Sequence, residues 1–140
     1  MEKLELHPDR LPIWKTHNGV EYIEMIITGL KSTEKIISYY AKGCEMMLQK
    51  PDKSVMVYTD TRGVKINTTT MRILQEIGKN TQRAVKKSAL VGNPGISVVM
   101  HKLYVAYTRS PVKFFTNPDV ALKYLTEKWC IKMTKKSTFK

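Results

Sequence analysis

Short runs of apolar residues alternate along this chain with longer segments in which apolar residues recur at helical spacing. The short runs cover residues 11–16, 22–28, 55–58, 88–91 and 112–115. Asn18-Gly19 separates the first two, and this dipeptide is typical of tight β-hairpin turns. The pattern therefore predicts a sheet of about five strands with an N-terminal hairpin at its edge.

Four segments have the apolar spacing of amphipathic helices. The first begins at Ser32, a favoured N-cap, and the last begins at Asn117, followed by Pro118 in its preferred first-turn position. The predicted helices cover about residues 32–50, 67–85, 96–107 and 117–129. Strands that alternate with helices predict an α/β fold with a mostly parallel, mixed sheet covered on both faces.

The second predicted helix has one apolar face and one basic face, as expected of a helix that packs on a sheet. The apolar face consists of Met71, Ile73, Leu74, Ile77, Ala84 and Val85. The basic face consists of Arg72, Lys79, Arg83 and Lys87, interrupted by Glu76.

The length of 140 residues suits a single domain with one core. No linker or internal repeat divides it, so we expect one domain over residues 1–140, with residues 1–10 as an N-terminal arm and residues 131–140 as a flexible basic tail. No apolar run approaches the roughly 20 residues needed to cross a bilayer, and the first residues are polar where a signal peptide would be apolar. These features favour a cytoplasmic protein.

Positive charge is concentrated in the second half of the chain. The formal net charge is +12. Residues 1–66 contain ten Lys/Arg and nine Asp/Glu, whereas residues 67–140 contain fourteen and three. This asymmetry indicates an anionic partner, such as nucleic acid, a membrane surface or an acidic protein. The alternative is a solvated surface that serves solubility alone.

Three segments carry a resemblance to a known family. They are Val55-Met56-Val57-Tyr58-Thr59-Asp60-Thr61-Arg62-Gly63, then Lys86-Lys87-Ser88-Ala89-Leu90-Val91-Gly92, then Phe114-Phe115 followed by Ala121-Leu122. Over most of residues 20–129 the chain resembles the bacterial SpoIIAA-like family of STAS domains (sulfate transporter and anti-sigma-factor antagonist). The resemblance implies a SpoIIAA-like fold and a regulatory function, and the wider fold group includes Sec14-type lipid-binding domains, which implies an apolar ligand as one alternative.

The resemblance also implies a regulatory phosphorylation site. Typical members carry the modified serine in an Asp-Ser-Ser-Gly turn at the start of a helix, and the matching place here is Asn67-Thr68-Thr69-Thr70. The hydroxyl groups match. Asn67 replaces the acid, however, and no glycine follows the threonines before Met71. Thr68 and Thr69 are therefore the candidate phosphorylation sites.

Catalytic motifs are absent from the sequence. His7, His17 and His101 have no metal-ligand spacing, and no paired nucleophile and base can be recognised. Cys44 lies on the apolar stripe of the first helix, which indicates a buried thiol. We therefore expect no enzyme activity, no catalytic residue, no metal and no cofactor.

The carboxyl ends of the central strands are the best candidate for a ligand site. In open α/β sheets, ligands bind beyond these strand ends, where helix N-termini present free N–H groups. The residues predicted to bind a phosphate or carboxylate there are Arg62, Asn67, Thr68, Thr69, Gly92 and Asn93. The alternative is that they are ordinary caps and turns.

The third predicted helix has more apolar surface than one buried stripe requires. We expect it to form a homodimer interface through Val98, Tyr104 and Val105, with an apolar ligand beneath the helix as the alternative. The leading hypothesis is thus a non-catalytic SpoIIAA-like module that binds a partner protein or a small anionic or apolar ligand. The other hypothesis is nucleic-acid or anionic-membrane binding through the basic second half.

Overall fold

The structure is a computed structural model that describes residues 11–30, 32–64, 67–93 and 112–127. Its five strands are β1 (Ile13–His17), β2 (Val20–Ile26), β3 (Val55–Asp60), β4 (Val85–Val91) and β5 (Val112–Phe115). They form one sheet in the order β1-β2-β3-β4-β5, in which β1 and β2 are antiparallel and the other neighbours are parallel. The predicted mixed sheet with a hairpin at its edge is confirmed, and β3 lies at its centre.

Three α-helices occur in the described residues, namely α1 (Thr33–Met47), α2 (Thr68–Lys79) and α3 (Pro118–Thr126). Four helices were predicted. The remaining one, over residues 96–107, lies outside the described residues, as do the proposed interface residues Val98, Tyr104 and Val105.

Local sequence signals account for the turns and helix starts. Asn18 and Gly19 have φ values of 55° and 76°, the left-handed conformation that a two-residue hairpin turn of type I′ requires. The Ser32 side chain accepts the Lys35 N–H and so caps α1. Asn117 caps α3 by accepting the backbone N–H groups of Asp119 and Val120.

The prediction for the second helix is wrong at its C-terminal end. The helix ends at Lys79 rather than near residue 85, and a 3₁₀ turn (Gln82–Ala84) leads into β4. Val85 continues the apolar pattern of the helix in the sequence, but it pairs with Val55 of β3 and is therefore part of the sheet. Ile73 was assigned to the buried face, but it is 37% exposed because Met71 and Leu74 face the core instead.

Each face of the sheet has its own hydrophobic core. Helices α1 and α2 follow β2 and β3, and right-handed crossover connections place both helices on the same face. There they bury side chains such as Ile23, Met25 and Val57. Helix α3 follows β5 and covers the other face, where Ala121 and Leu125 pack against the β3 and β4 side chains of the second core. No helix in the described part of the chain is long and apolar enough to span a membrane.

Candidate binding edge at the carboxyl ends of the strands

An ion pair with a buried carboxylate lies where β3 ends. Asp60 is the last residue of β3 and is 5% exposed. Its Oδ1 accepts the Arg62 backbone N–H at 3.1 Å and the Arg62 Nε–H at 3.0 Å, and its Oδ2 accepts from Nη2 at 2.7 Å. This bidentate arrangement fixes the guanidinium in one orientation.

Thr28 ties the end of β2 to the same ion pair. Its hydroxyl lies 2.9 Å from the Arg62 carbonyl oxygen and 3.2 Å from Asp60 Oδ1, so it can donate to either. The backbone N–H groups of Ile27 and Thr28 both donate to the Asp60 carbonyl oxygen, at 2.9 and 3.2 Å. The loop that carries Arg62 is therefore anchored to two neighbouring strands.

The charges of this pair are stabilised by each other. Burial raises the pKa of the Asp60 carboxyl, but the hydrogen bonds and the charge of Arg62 outweigh burial and hold that pKa below its usual value. The pKa of the Arg62 guanidinium is raised by its hydrogen bonds with Asp60 and by the negative charge of that carboxylate. Asp60 is thus ionised and Arg62 is charged at neutral pH.

The guanidinium of Arg62 also faces solvent. Its side chain is 44% exposed, in contrast to 7% for that of Asp60. An arginine has five side-chain N–H groups, and two of them bind Asp60. The other three have no acceptor among the described residues. They form a fixed set of donors at the carboxyl edge of the sheet.

Asn93 and Gly63 join the loops that follow β4 and β3. The side-chain Oδ1 of Asn93 accepts the Gly63 N–H at 2.7 Å, and Gly63 has a φ of 76°, the left-handed conformation that favours glycine. Next to this contact, the N–H and the hydroxyl of Thr61 lie 2.8 and 3.0 Å from the Val91 carbonyl oxygen. The structure therefore brings the Arg62 loop and Asn93 together.

Gly92 is placed differently from the other predicted site residues. It is buried, and its N–H donates to the Phe115 carbonyl oxygen at 3.0 Å, which extends the pairing of β4 with β5. That N–H is therefore not available to a ligand.

Asn67, Thr68 and Thr69 form the start of α2. The Asn67 side chain accepts the Thr70 N–H at 2.7 Å, so Asn67 is an N-cap. Thr68 and Thr69 are exposed in the first turn. Within the described residues, no hydrogen bond joins them to Arg62.

Asp60 and Thr28, which position Arg62, were not among the residues predicted for the site. A signal was available for Asp60, because a carboxylate that directly continues an apolar strand is buried and needs a charged partner nearby. Arg62, two residues later, is that partner. Thr28 gave no such signal, since its contact depends on how β2 and β3 pair. No group of three or more His, Cys, Asp or Glu side chains among the described residues could hold a metal ion.

Comparison with known proteins places this architecture in a recognised fold class. No protein-family model and no curated protein matches the chain. A solved structure is similar over 81% of this chain and 91% of its own, with a TM-score of 0.57 and 12% sequence identity. It is an uncharacterized protein of the DUF3478 family with a SpoIIAA-like fold, from Shewanella loihica PV-4. The protein described here therefore has a SpoIIAA-like α/β fold, as the resemblance implied.

Proposed function

We propose that this protein is a non-catalytic regulatory module that binds an anionic group, a carboxylate or a phosphate, of a partner protein or small ligand at the carboxyl edge of its sheet. One observation carries the proposal. The Arg62 guanidinium is held rigidly by a buried carboxylate, while three of its N–H donors have no acceptor among the described residues.

Rigid positioning favours binding because little side-chain entropy remains to be lost when the ligand arrives. A free arginine would have to be ordered by its ligand, whereas Arg62 is already ordered by Asp60 and by its own backbone contact. The planar guanidinium also matches the geometry of a carboxylate or phosphate. Asn93 contributes in the same way, because the contact of its Oδ1 with Gly63 orients its exposed side-chain amide.

The start of α2 supports regulation at the same edge. Thr68 and Thr69 are exposed at the positive end of the helix dipole, where a phosphoryl group is favoured. Arg72, one turn further along α2, is also exposed and can pair with such a group. Phosphorylation at either threonine would add negative charge beside the proposed site and alter ligand binding there.

The assembly and location of the protein belong to the same proposal. We expect a cytoplasmic homodimer formed through Val98, Tyr104 and Val105. Sedimentation of the wild type at high micromolar concentration tests this, and a monomer would contradict it.

The binding site is tested by following backbone amide resonances in an NMR titration with inorganic phosphate and then with an acidic phosphopeptide. Shifts clustered at Arg62, Gly63, Thr68, Thr69 and Asn93 are expected. Shifts spread over the lysine residues, which disappear in moderate salt, would contradict the site.

The chain offers a matched control for the central arginine. Arg83 also forms a 2.7 Å ion pair, with Asp52, and its side chain is 46% exposed, but it lies before β4 at the opposite end of the sheet. Arg62→Gln should abolish the clustered shifts, and Arg83→Gln should leave them in place. Equal effects of the two substitutions would show that net charge alone is responsible.

A further inference from the structure

Apolar side chains continue the row of strand ends in which the Arg62–Asp60 ion pair lies. In the parallel register, Asp60 lies opposite Ile26 of β2 on one side and opposite Val91 of β4 on the other. These three side chains share the α3 face of the sheet, because Asp60 is two residues from Tyr58, whose ring belongs to the core beneath α3. The guanidinium that binds the Asp60 carboxylate therefore has apolar neighbours on both sides.

The apolar row extends onto the edge strand β1. Ile13 lies opposite Glu24, which is two residues before Ile26 on the same face of β2. Continuing this antiparallel register by two residues places Leu11 opposite Ile26. Leu11 and Ile13 are 54% and 46% exposed, so the protein leaves both of them in contact with water. We call Leu11, Ile13 and Ile26 the apolar strip.

The charges next to the apolar strip cancel in pairs. Asp60 is bound to Arg62, and Glu24 forms an ion pair with Lys15 at 3.1 Å. Asp119 is in the first turn of α3, which begins just after β5, at the opposite edge of the sheet from the strip. An acidic group beside the strip is therefore attracted by the directed N–H donors of Arg62 and not by an excess of positive charge.

We infer that the proposed anion site recognises an extended peptide of a partner protein, in which one residue separates an acidic side chain from an apolar one. The inference rests on the function proposed above, because Arg62 has to bind the acidic side chain. Alternate side chains of an extended peptide are about 6.6 Å apart on one side. Neighbouring strands are about 4.8 Å apart, so Ile26 lies one such spacing and Leu11 two spacings from Asp60. A peptide whose acidic side chain binds Arg62 can therefore place its apolar side chain on the strip.

The exposure of the apolar strip favours a peptide over an acid with a long acyl chain. Small apolar ligands are usually enclosed in a cavity that removes most of their surface from water. Leu11 and Ile13 lie on an open surface instead, which suits contact with a single side chain. Such a contact adds to the affinity because it removes apolar area from water on both partners.

The inference is tested with three blocked pentapeptides in an NMR titration that follows backbone amide resonances. The first peptide carries glutamate and leucine separated by one residue. The second replaces the leucine with serine, and the third replaces the glutamate with glutamine. The first should bind about fivefold more tightly than the second, because part of one leucine side chain is removed from water. The third should cause no shift at Arg62, because it lacks the carboxylate.

A variant with both Leu11→Ser and Ile13→Thr removes the exposed part of the strip and leaves Arg62 in place. It should bind the first two peptides equally, with unchanged affinity for the glutamate–serine peptide. Ile73→Thr is the matched control, because Ile73 is also an exposed isoleucine but lies on α2, which covers the other face of the sheet. It should keep the fivefold preference for leucine. Thermal unfolding of each variant verifies that the fold is intact.

The possible outcomes separate this inference from the proposed function. If the glutamate–leucine and glutamate–serine peptides bind the wild type equally and both shift Arg62, the anion site stands and the peptide inference is wrong. If neither peptide and no phosphate shifts Arg62, both are wrong. Equal effects of Ile73→Thr and of the double variant would also overturn the inference. Decanoate that binds more tightly than the glutamate–leucine peptide, and that loses this affinity in the double variant, would identify an acyl chain in place of a peptide.

Discussion

Replacing Asp60 with asparagine tests whether the ion pair of this buried carboxylate with Arg62 stabilises the fold. The carboxylate accepts three hydrogen bonds from Arg62, two from its side chain and one from its backbone. Asparagine keeps an acceptor at Oδ1 but places an N–H group opposite Arg62 Nη2, where two donors then meet. The remaining hydrogen bonds also lose the benefit of the negative charge.

The expected cost follows from burial and hydrogen bonding. A hydrogen bond to a charged group contributes about 1.5–3 kcal/mol, and a fully buried charge left without its partner costs about 3–5 kcal/mol. Because the Arg62 side chain is 44% exposed, it can turn to water and avoid part of that penalty. We therefore expect Asp60→Asn to lower the free energy of unfolding by about 2 kcal/mol.

Asp52→Asn is the matched control for this experiment. Asp52 pairs with Arg83 at 2.7 Å, the same distance as in the Asp60–Arg62 pair, but its side chain is 74% exposed. An exposed pair contributes about 0–1 kcal/mol, so Asp52→Asn should cost less than about 1 kcal/mol. Urea unfolding at pH 7 measures both variants. Equal losses would refute the reasoning, since the two pairs differ in the burial of the carboxylate and in the number of hydrogen bonds that it accepts.

Three further predictions concern single groups. The folded state lowers the pKa of Asp60, so the ionised carboxylate stabilises the fold above its unfolded pKa of about 4, and this stabilisation is lost as the pH falls through the folded pKa. In urea unfolding at decreasing pH, the free energy of unfolding of the wild type should therefore approach that of Asp60→Asn. A constant difference between the two would contradict this. Burial and the charge of Asp60 raise the pKa of Tyr58 from 10.0 to about 12, so the free energy of unfolding falls as the pH rises between these values. One tyrosine should ionise late in an absorbance titration, and Tyr58→Phe should remove that late step. Asn67→Ala removes the cap of α2 and should lower the free energy of unfolding by about 1 kcal/mol, whereas Asn67→Ser, which can still cap, should lower it little. Urea unfolding measures both variants, and equal losses would argue against capping.

The parts of the fold that depend on local chemistry could be predicted from the sequence. The Asn18-Gly19 turn and the caps at Ser32 and Asn117 act through contacts within a few residues. The start of β4 could not be predicted in this way, because Ala84 and Val85 continue the helical spacing of α2. The parallel register with Val55 decides their conformation, and that pairing is not encoded locally.

The candidate site shows the same division. Arg62 and Asn93 could be placed at one edge, because parallel strands bring their carboxyl ends together. The ion pair of Arg62 with Asp60 could be inferred only from the burial expected at the end of β3. The hydrogen bonds of Thr28, and the hydrogen bond that the Gly92 N–H donates to the Phe115 carbonyl oxygen, depend on the packing of separate strands. No short segment of the sequence specifies that packing.

Within the described part of the chain, the spatial order of the strands is the same as their order in the sequence, and this has a consequence for how the protein is made. Each strand from β2 onward leaves the ribosome when the neighbour on which it will align has already been synthesised. The growing sheet can therefore add one strand at a time at a single advancing edge, and no gap has to be kept open for a later strand. A polypeptide arranged in this way can complete its hairpin and central pairings during translation.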